Sequence, residues 1–114
     1  MEKNIRISFR HWVFVDDVKF FGPGRLELLE GIQETGSIVK AAKQMGMSYK
    51  KAWAMVMAMN TIGKNPFVTT QKGGQNGGGA EITETGKQVI AAYKSLENKL
   101  KAVAEAEKDL LNLI

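Results

Sequence analysis

The residues best suited to chemistry in this 114-residue sequence are lysines in a stretch that carries no acidic residue. Between Glu34 and Glu81 the chain has neither Asp nor Glu, and we call residues 35–80 the acid-free stretch. Its six lysines are Lys40, Lys43, Lys50, Lys51, Lys64 and Lys72. Amines without nearby carboxylates attract anions. The stretch therefore indicates either a surface for a polyanion or an ordinary solvated face that is rich in lysine.

Part of this chemistry falls at the start of a predicted helix. Apolar residues at helical spacing predict a helix over 49–62, and Ser48 has the residue type of its N-cap. Lys50 and Lys51 in the first turn oppose the helix dipole, and a bound anion would offset that cost. A lysine can donate to guanine O6 and N7 or neutralise a phosphate, while a free helix N-terminus suits a phosphate. Trp53 either packs beneath the hairpin that follows or meets the ligand, and packing is the favoured interpretation.

Several classes of catalytic and metal site are disfavoured by composition. The sequence has no cysteine, which excludes disulfides, thiolate chemistry and cysteine-based zinc sites, and it has a single histidine, His11. No pair of carboxylates and no nucleophile with a base occurs at a telling spacing. The glycines at 73–79 lack the Gly-Lys-Ser/Thr that ends a phosphate loop, which disfavours a nucleotide-dependent enzyme. We therefore expect no enzyme, no catalytic residue, no metal and no cofactor.

The elements that position these residues follow a simple order in one predicted domain, 1–114. Hydrophobic residues make up 44% and charged residues 25%, which is typical of a globular chain. Alternating apolar residues predict a strand over 5–15. A helix begins near Gly24 and ends at Gly36, and Ser37 caps a second helix. With the helix over 49–62 they form a helix-turn-helix over about 38–62, followed by a hairpin over 67–83.

The last predicted helix, about 84–113, carries apolar residues at alternating steps of three and four, interrupted at Glu107. A helix of about 30 residues is roughly 45 Å long, more than one small globule covers. Its apolar seam is therefore expected to pair with a second copy. The alternative is that its first half packs on its own domain and its tail frays. The seam residues predicted for dimerisation are Val89, Tyr93, Leu96, Leu100, Val103 and Leu110.

This order predicts an α+β fold, mainly α: a winged helix-turn-helix with an N-terminal strand, a hairpin wing and a long C-terminal dimerisation helix. In such a fold the third helix enters the DNA major groove, and the hairpin touches the backbone or minor groove. The predicted groove residues are Ser48, Tyr49, Lys50 and Lys51. The predicted backbone residues are Lys43 and Lys72. The glycine-rich segment at 73–79 either brings its backbone into a groove or against phosphates, or is a hairpin tip without any contact.

The sequence resembles the N-terminal DNA-binding domain of ModE-type molybdate-responsive regulators, over about residues 20–96. The similarity lies in Gly24-Arg25-Leu26-Glu27-Leu28-Leu29, Thr35-Gly36-Ser37-Ile38, Ser48-Tyr49-Lys50 with Ala52-Trp53, Met59-Asn60, and the glycine-rich segment that runs on to Ile82-Thr83 and Gly86. The helix-turn-helix also resembles that of LysR-type regulators. The sequence departs from the family at Thr69-Thr70, where Glu-Arg is usual, and at Gln75 and Asn76 within the glycines.

The resemblance implies a homodimeric, sequence-specific bacterial transcription regulator that binds double-stranded DNA. The DNA contacts that it implies are Ser48, Tyr49 and Lys50 in the helix, and Gly73, Gly74, Gly77, Gly78 and Gly79 in the wing. Full family members continue into small β-barrel domains that bind molybdate, so we expect no molybdate site in this chain. With no signal-peptide pattern and no apolar run of membrane length, the expected location is the cytoplasm, in association with the nucleoid. The alternative function is a dimeric helical adaptor that binds an acidic partner protein.

Overall fold

The computed structural model describes residues 3–71 and 79–114. The elements in chain order are β1 (Val13–Val15), β2 (Val18–Phe21), α1 (Pro23–Thr35), α2 (Ile38–Gln44), α3 (Tyr49–Ile62), β3 (Val68–Thr70), β4 (Ala80–Ile82), α4 (Glu84–Glu105) and α5 (Asp109–Asn112). Each strand pair, β1–β2 and β3–β4, forms a separate antiparallel sheet. The predicted α+β class, with three helices, a hairpin and a long helix in that order, is confirmed.

The N-terminal strand is shorter than the alternating pattern predicted. Only Val13–Val15 of the predicted 5–15 is a strand, and it pairs with Val18–Phe21. Asp16 and Asp17 form the turn with φ values of 48° and 67°, as hairpin turns that match strand twist require. The alternating residues Ile5, Ile7 and Phe9 remain 37% exposed. The prediction over 5–12 is wrong because an alternating sequence becomes a strand only where a partner strand accepts its hydrogen bonds.

Helices α1 to α3 begin and end where the sequence predicts. Gly36 ends α1 with a φ of 70°, a left-handed conformation that glycine adopts without strain. The Ser37 hydroxyl accepts a hydrogen bond from the Lys40 backbone N–H at 3.1 Å and caps α2. The Ser48 hydroxyl does the same for Lys51 at 3.1 Å and caps α3. These two caps fix where α2 and α3 begin.

The core lies where α1, α2 and α3 meet the strands. Its most deeply buried side chains, with no exposed surface, include Leu28, Leu29, Ile32, Ala41, Ala52, Val56 and Met59. Phe67 joins the second hairpin to this core by edge-on contacts with Phe20 and Phe21, at ring distances of 5.7 and 6.3 Å. Burial of these apolar side chains holds α3 in a fixed position against the other helices.

Asn60 ties α3 to the β3–β4 hairpin. Its Nδ2 donates to the Val68 carbonyl at 2.8 Å. Its Oδ1 accepts from the Phe67 and Val68 N–H groups at 2.8 and 3.2 Å. On the other side, the Ala80 N–H donates to the Gly36 carbonyl at 2.9 Å. The hairpin is thus held by hydrogen bonds to two of the helices that surround it.

The predicted helix over 84–113 is broken. Helix α4 is 22 residues long and ends at Glu105, and a separate short helix follows at Asp109–Asn112. The break contains Glu107, where the apolar seam is interrupted. The Glu107 carboxylate accepts a hydrogen bond from the Leu110 N–H at 3.1 Å and so caps the second segment. Among the helices of residues 3–71 and 79–114, none has the length and apolar character needed to cross a bilayer.

Candidate nucleic-acid interface

The candidate interface begins with Ser48, Tyr49, Lys50 and Lys51, which we call the α3 start. All four residues are exposed, and the described side chains leave this first turn open to solvent. Because Ser48 uses its oxygen as the cap acceptor, its hydroxyl proton is free to donate to a ligand oxygen. The residues predicted for groove contact therefore lie together on one exposed helix end.

The orientation of α3 follows from its buried stripe. Ala52, Val56 and Met59 have no exposed surface and face the core. Since successive residues turn by about 100° around a helix, Lys50 and Ala54 lie on the side away from that stripe. Both residues are exposed. The helix therefore presents a lysine, and beyond it only a small side chain, to any ligand that approaches from outside.

The lysines of the acid-free stretch keep their charge available to a ligand. Within residues 3–71 and 79–114, the ion pairs are Lys94 with Glu30 and Lys101 with Glu97. Neither pair uses a lysine of the acid-free stretch. Lys43, in the last turn of α2, is exposed, as are the other described lysines of the stretch. The described lysines of the stretch are therefore exposed and outside these ion pairs, which leaves their charges available to a polyanion.

An aromatic pair lies on the same helix end, and the sequence prediction missed it. Tyr49 and Trp53 are 49% and 37% exposed, with ring centroids 6.2 Å apart and planes 33° from parallel. Part of the Trp53 ring therefore lies at the surface beside Tyr49, and the tip of the hairpin beneath which it was expected to pack lies outside the described residues. The spacing contains the signal: Trp53 follows Tyr49 by one helical turn and lies about 100° from Ala52, outside the buried stripe.

Most of the predicted wing residues fall outside the described part of the chain. Lys72, Gly73, Gly74, Gly77 and Gly78 lie between the described ranges. Gly79 is described, and its carbonyl accepts a hydrogen bond from the Gln71 N–H at 2.9 Å. This bond continues the antiparallel pairing of β3 with β4 by one step beyond the strands. The described part of the hairpin therefore extends to Gln71 and Gly79.

The predicted dimer seam divides into buried and exposed residues. Tyr93 is 5% exposed, its hydroxyl donates to the His11 carbonyl at 2.7 Å, and its ring stacks on His11 at 4.2 Å. Burial, followed by the charge of Glu97, raises the pKa of Tyr93 above its ordinary value. Tyr93 as a dimer contact is therefore corrected: it belongs to the core of its own chain. His11, which precedes the first strand, packs its ring against Tyr93.

The rest of the seam faces outwards. Leu96, Val103 and Leu110 are 43%, 70% and 50% exposed, and Val89 and Leu100 are half-buried. Leu96 lines an apolar groove of about 320 Å³ between α4 and the first hairpin. The other residues of this groove are Val13, Phe20, Phe21, Phe67, Val89, Ala92 and Tyr93. Such a continuous apolar surface on a small domain is typical of a protein–protein contact.

Arg25 is the other described group with a distinctive environment near α3. Its guanidinium donates to the Phe20 carbonyl, and burial lowers its pKa. It lines a second cavity of about 330 Å³ together with Trp12, Lys19 and Met55.

Across the described ranges, no group of three His, Cys, Asp or Glu side chains could hold a metal ion.

Comparison with known proteins finds relatives that match most of this chain. It is 44% identical over 92 residues to the molybdenum-pterin-binding protein MopB of Rhodobacter capsulatus, covering 81% of this chain and 34% of the relative. It is 38% identical over 88 residues to the molybdenum transport protein ModE of Azotobacter vinelandii, covering 77% and 33%. It is 40% identical over 77 residues to the DNA-binding transcriptional dual regulator ModE of Escherichia coli, covering 68% and 29%. No protein-family model matches the chain.

These relatives bear on the resemblance seen in the sequence. At about 40% identity, the matched segment is homologous to segments of proteins named ModE, MopA and MopB, which supports a relationship to ModE proteins. Several of these relatives are named as transcriptional regulators, and the names of the others refer to binding or transport rather than catalysis. The chain spans about a third of the length of the relatives it matches.

Proposed function

We propose that this chain is a ModE-type DNA-binding domain that regulates transcription as a homodimer. The observation that carries the proposal is the α3 start, where two lysines, a tyrosine and a serine lie exposed at the end of a helix within the acid-free stretch. The homology to proteins named as transcriptional regulators supports it. The helix-turn-helix followed by a hairpin is the arrangement expected of a winged helix.

In this proposal α3 enters the major groove with its first turn. Lys50 and Tyr49 reach base edges, where a lysine donates to guanine O6 and N7. Ser48 and Lys51 contact phosphates next to the helix N-terminus, whose partial positive charge favours an anion. Lys43, at the end of α2, and Lys72, in the wing, neutralise further phosphates. Backbone contacts set the position of the helix, and the base contacts select the sequence.

The wing contributes through its glycines. A segment without Cβ atoms brings its backbone close to a phosphate or into a narrow groove. Gly73, Gly74, Gly77, Gly78 and Gly79 form that segment in the proposal, as the family resemblance implies. Asn60 supports it indirectly, because the hydrogen bonds of Asn60 fix the base of the hairpin to the helix that reads the groove. Helix and wing would then contact one DNA segment as a unit.

The homodimer forms through the outward-facing part of the seam. Leu96, Leu100 and Val103 follow one another at helical spacing on α4, and Leu110 continues them on α5. A second copy would cover these side chains and part of the groove beside Leu96. Two-fold symmetry would present two α3 helices to the same face of DNA, about 34 Å apart. This spacing predicts an operator with two inverted half-sites.

Substitution on α4 tests the dimer. Leu96→Asp with Val103→Asp places two carboxylates on exposed seam positions, so the monomer fold is retained while association is lost. Asn98→Asp adds a carboxylate on the opposite side of the same helix and serves as the matched control. Sedimentation velocity should give a dimer for the parent chain and for the control, and a monomer for the seam variant. A dimer that persists in the seam variant contradicts this interface.

Substitution on α3 tests DNA recognition. We expect Lys50→Ala to weaken binding to a duplex selected from a random pool by about 1–3 kcal/mol per half-site, with less effect on unselected DNA. Lys101→Ala removes an exposed lysine of α4, outside the residues proposed to contact DNA, and should leave binding unchanged. If Lys50→Ala weakens binding to all sequences equally, Lys50 is a phosphate contact. If the chain enriches no duplex from the pool, the regulator proposal fails and an adaptor for an acidic protein is favoured.

The proposal assigns no cofactor and no molybdate or molybdenum–pterin site to this chain. Binding of molybdenum–pterin is part of the names of MopA and MopB, of which the chain matches about a third. As a bacterial regulator of transcription, the chain would act in the cytoplasm, at the nucleoid.

A further inference from the structure

The aromatic pair Tyr49–Trp53 is unusual for its position. The first two turns of α3 carry two large aromatic rings at the surface, with Tyr49 49% and Trp53 37% exposed. The same helix buries another side, formed by Ala52, Val56 and Met59, in the core. The ring centroids are 6.2 Å apart and the planes are tilted by 33°, and both residues remain partly exposed. This partly exposed apolar surface lies beside Lys50, which is proposed to read a base, and we therefore expect it to contact the same ligand.

We propose that Trp53, supported by Tyr49, contacts the C5 methyl groups of thymines in the major groove and makes the chain selective for thymine next to the base read by Lys50. This inference rests on the proposed function. Within the major groove, the thymine methyl is the feature that apolar side chains recognise, because every other distinguishing group is a hydrogen-bond donor or acceptor. The ring of Trp53 is apolar apart from its indole N–H, which can donate at one edge only.

The spacing on the helix sets where the thymine lies. Tyr49 and Trp53 are separated by one helical turn, which is about 6 Å along the axis. Base pairs rise by about 3.4 Å. The two rings therefore span about two base-pair steps, and Lys50 lies at their N-terminal end. We expect a thymine within about two steps of the guanine contacted by Lys50, on the side toward which α3 runs.

Packing against the described residues leaves more than a third of the Trp53 surface exposed. The half-buried side chains that complete the core include Met55 and Met57 of the same helix, whereas Trp53 is outside the core cluster. Tyr49 is its ring partner among the described aromatic residues. The contact between them pre-orders both rings before a ligand arrives, which lowers the entropy lost on binding.

Replacement of thymine by deoxyuridine tests the contact without a change in base pairing. The probe is the duplex enriched from a random pool by the parent chain, made once with thymine and once with deoxyuridine at every thymine position. Loss of one buried methyl contact corresponds to about a fourfold loss of affinity. The parent dimer should bind the deoxyuridine duplex at least about tenfold more weakly, since each half-site loses a contact.

The variants distinguish Trp53 from its neighbours. Trp53→Ala should bind the thymine duplex more weakly and lose most of the difference between the two duplexes. Lys50→Ala, on the same helix, should bind both duplexes more weakly and retain the difference, and it is the matched control. Equal melting temperatures of the variants exclude a folding defect as the cause.

Two results would overturn the inference. The first is a parent chain that binds both duplexes equally. The second is a Trp53→Ala variant that remains as sensitive to deoxyuridine as the parent, which would assign the methyl contact to other residues. Failure of the proposed function is distinguishable from both, because in that case the selection yields no enriched duplex.

Discussion

Asn60 offers the sharpest test of how the fold positions the interface. Its side chain makes three hydrogen bonds to the backbone of the following hairpin, at 2.8, 2.8 and 3.2 Å. Phe67 and Val68, which supply these backbone groups, are 4% and 2% exposed. Water therefore has little access to the N–H and C=O groups that Asn60 satisfies. Asn60→Ala removes all three hydrogen bonds at once.

The magnitude follows from these contacts. A hydrogen bond contributes about 1 kcal/mol net, and a buried group left without a partner costs about 1–3 kcal/mol. Partial hydration of the site limits the total, so Asn60→Ala should lower the free energy of unfolding by about 2–4 kcal/mol. For a domain of this size that is a fall of about 10–20 °C in melting temperature. Asn60→Asp keeps the acceptor for two N–H groups but loses the donor to Val68, and should lose less.

Chemical denaturation followed by circular dichroism measures this loss. Thr61→Ala is the control, because Thr61 is exposed on the next position of the same helix, and its effect should stay within about 0.5 kcal/mol. A loss below about 0.5 kcal/mol for Asn60→Ala would refute the reasoning, since the hairpin would then be positioned without Asn60. If Asn60→Ala and Asn60→Asp lower the free energy of unfolding equally, the role assigned to the Oδ1 acceptor is refuted.

Three further outcomes are expected. Gly86→Ala should lower the free energy of unfolding by about 1–3 kcal/mol in denaturation, because a Cβ there would lie 2.5 Å from the Phe67 carbonyl oxygen. Gly24→Ala is the control: a Cβ there would meet no atom within 4 Å, so the change should be neutral or stabilising. In Tyr49→Phe, where Tyr93 is the remaining tyrosine, tyrosinate absorbance should rise with a midpoint above the ordinary pKa of about 10. The Tyr93 hydroxyl ionises at a lower pH in the unfolded chain than in the folded one, so the stability that neutral Tyr93 contributes is present below about pH 10 and is lost as pH rises through the raised pKa. A titration midpoint at or below about 10 would contradict the burial of Tyr93. Ser37→Ala should cost about 1 kcal/mol by loss of the α2 cap, and no change on denaturation would contradict that cap.

Much of the fold could be predicted because its signals are local. Ser37, Ser48 and Thr83 cap helices where their residue types indicate, and Gly36 ends α1 in a left-handed conformation. The buried stripe of α3 follows the apolar spacing directly. From that stripe the exposed position of Lys50 also follows, because the two sides of one helix are related by geometry alone. The predicted groove residues therefore lie together on the surface.

The predictions that differ from the structure concern residues whose environment depends on a second, distant element. Ile5, Ile7 and Phe9 alternate as in a strand, but no neighbouring strand among the described residues pairs with them. Tyr93 fits a dimer seam by spacing, yet the His11 backbone and ring lie close enough to bury it in its own chain. The Tyr49–Trp53 ring pair follows from a spacing of one helical turn, but the exposure of Trp53 depends on which other segments cover it. Local spacing cannot specify which distant segment fills a given space.

The central claim is that the exposed lysines of the α3 start and its surroundings bind the DNA backbone, and a salt titration tests it most directly. Affinity for the selected duplex is measured by fluorescence anisotropy at increasing salt concentration. If each protomer neutralises about four phosphates, the logarithm of affinity should fall with the logarithm of salt at a slope near −7 for the dimer. A slope between zero and about −2 would mean that few phosphates are contacted, and it would contradict the account.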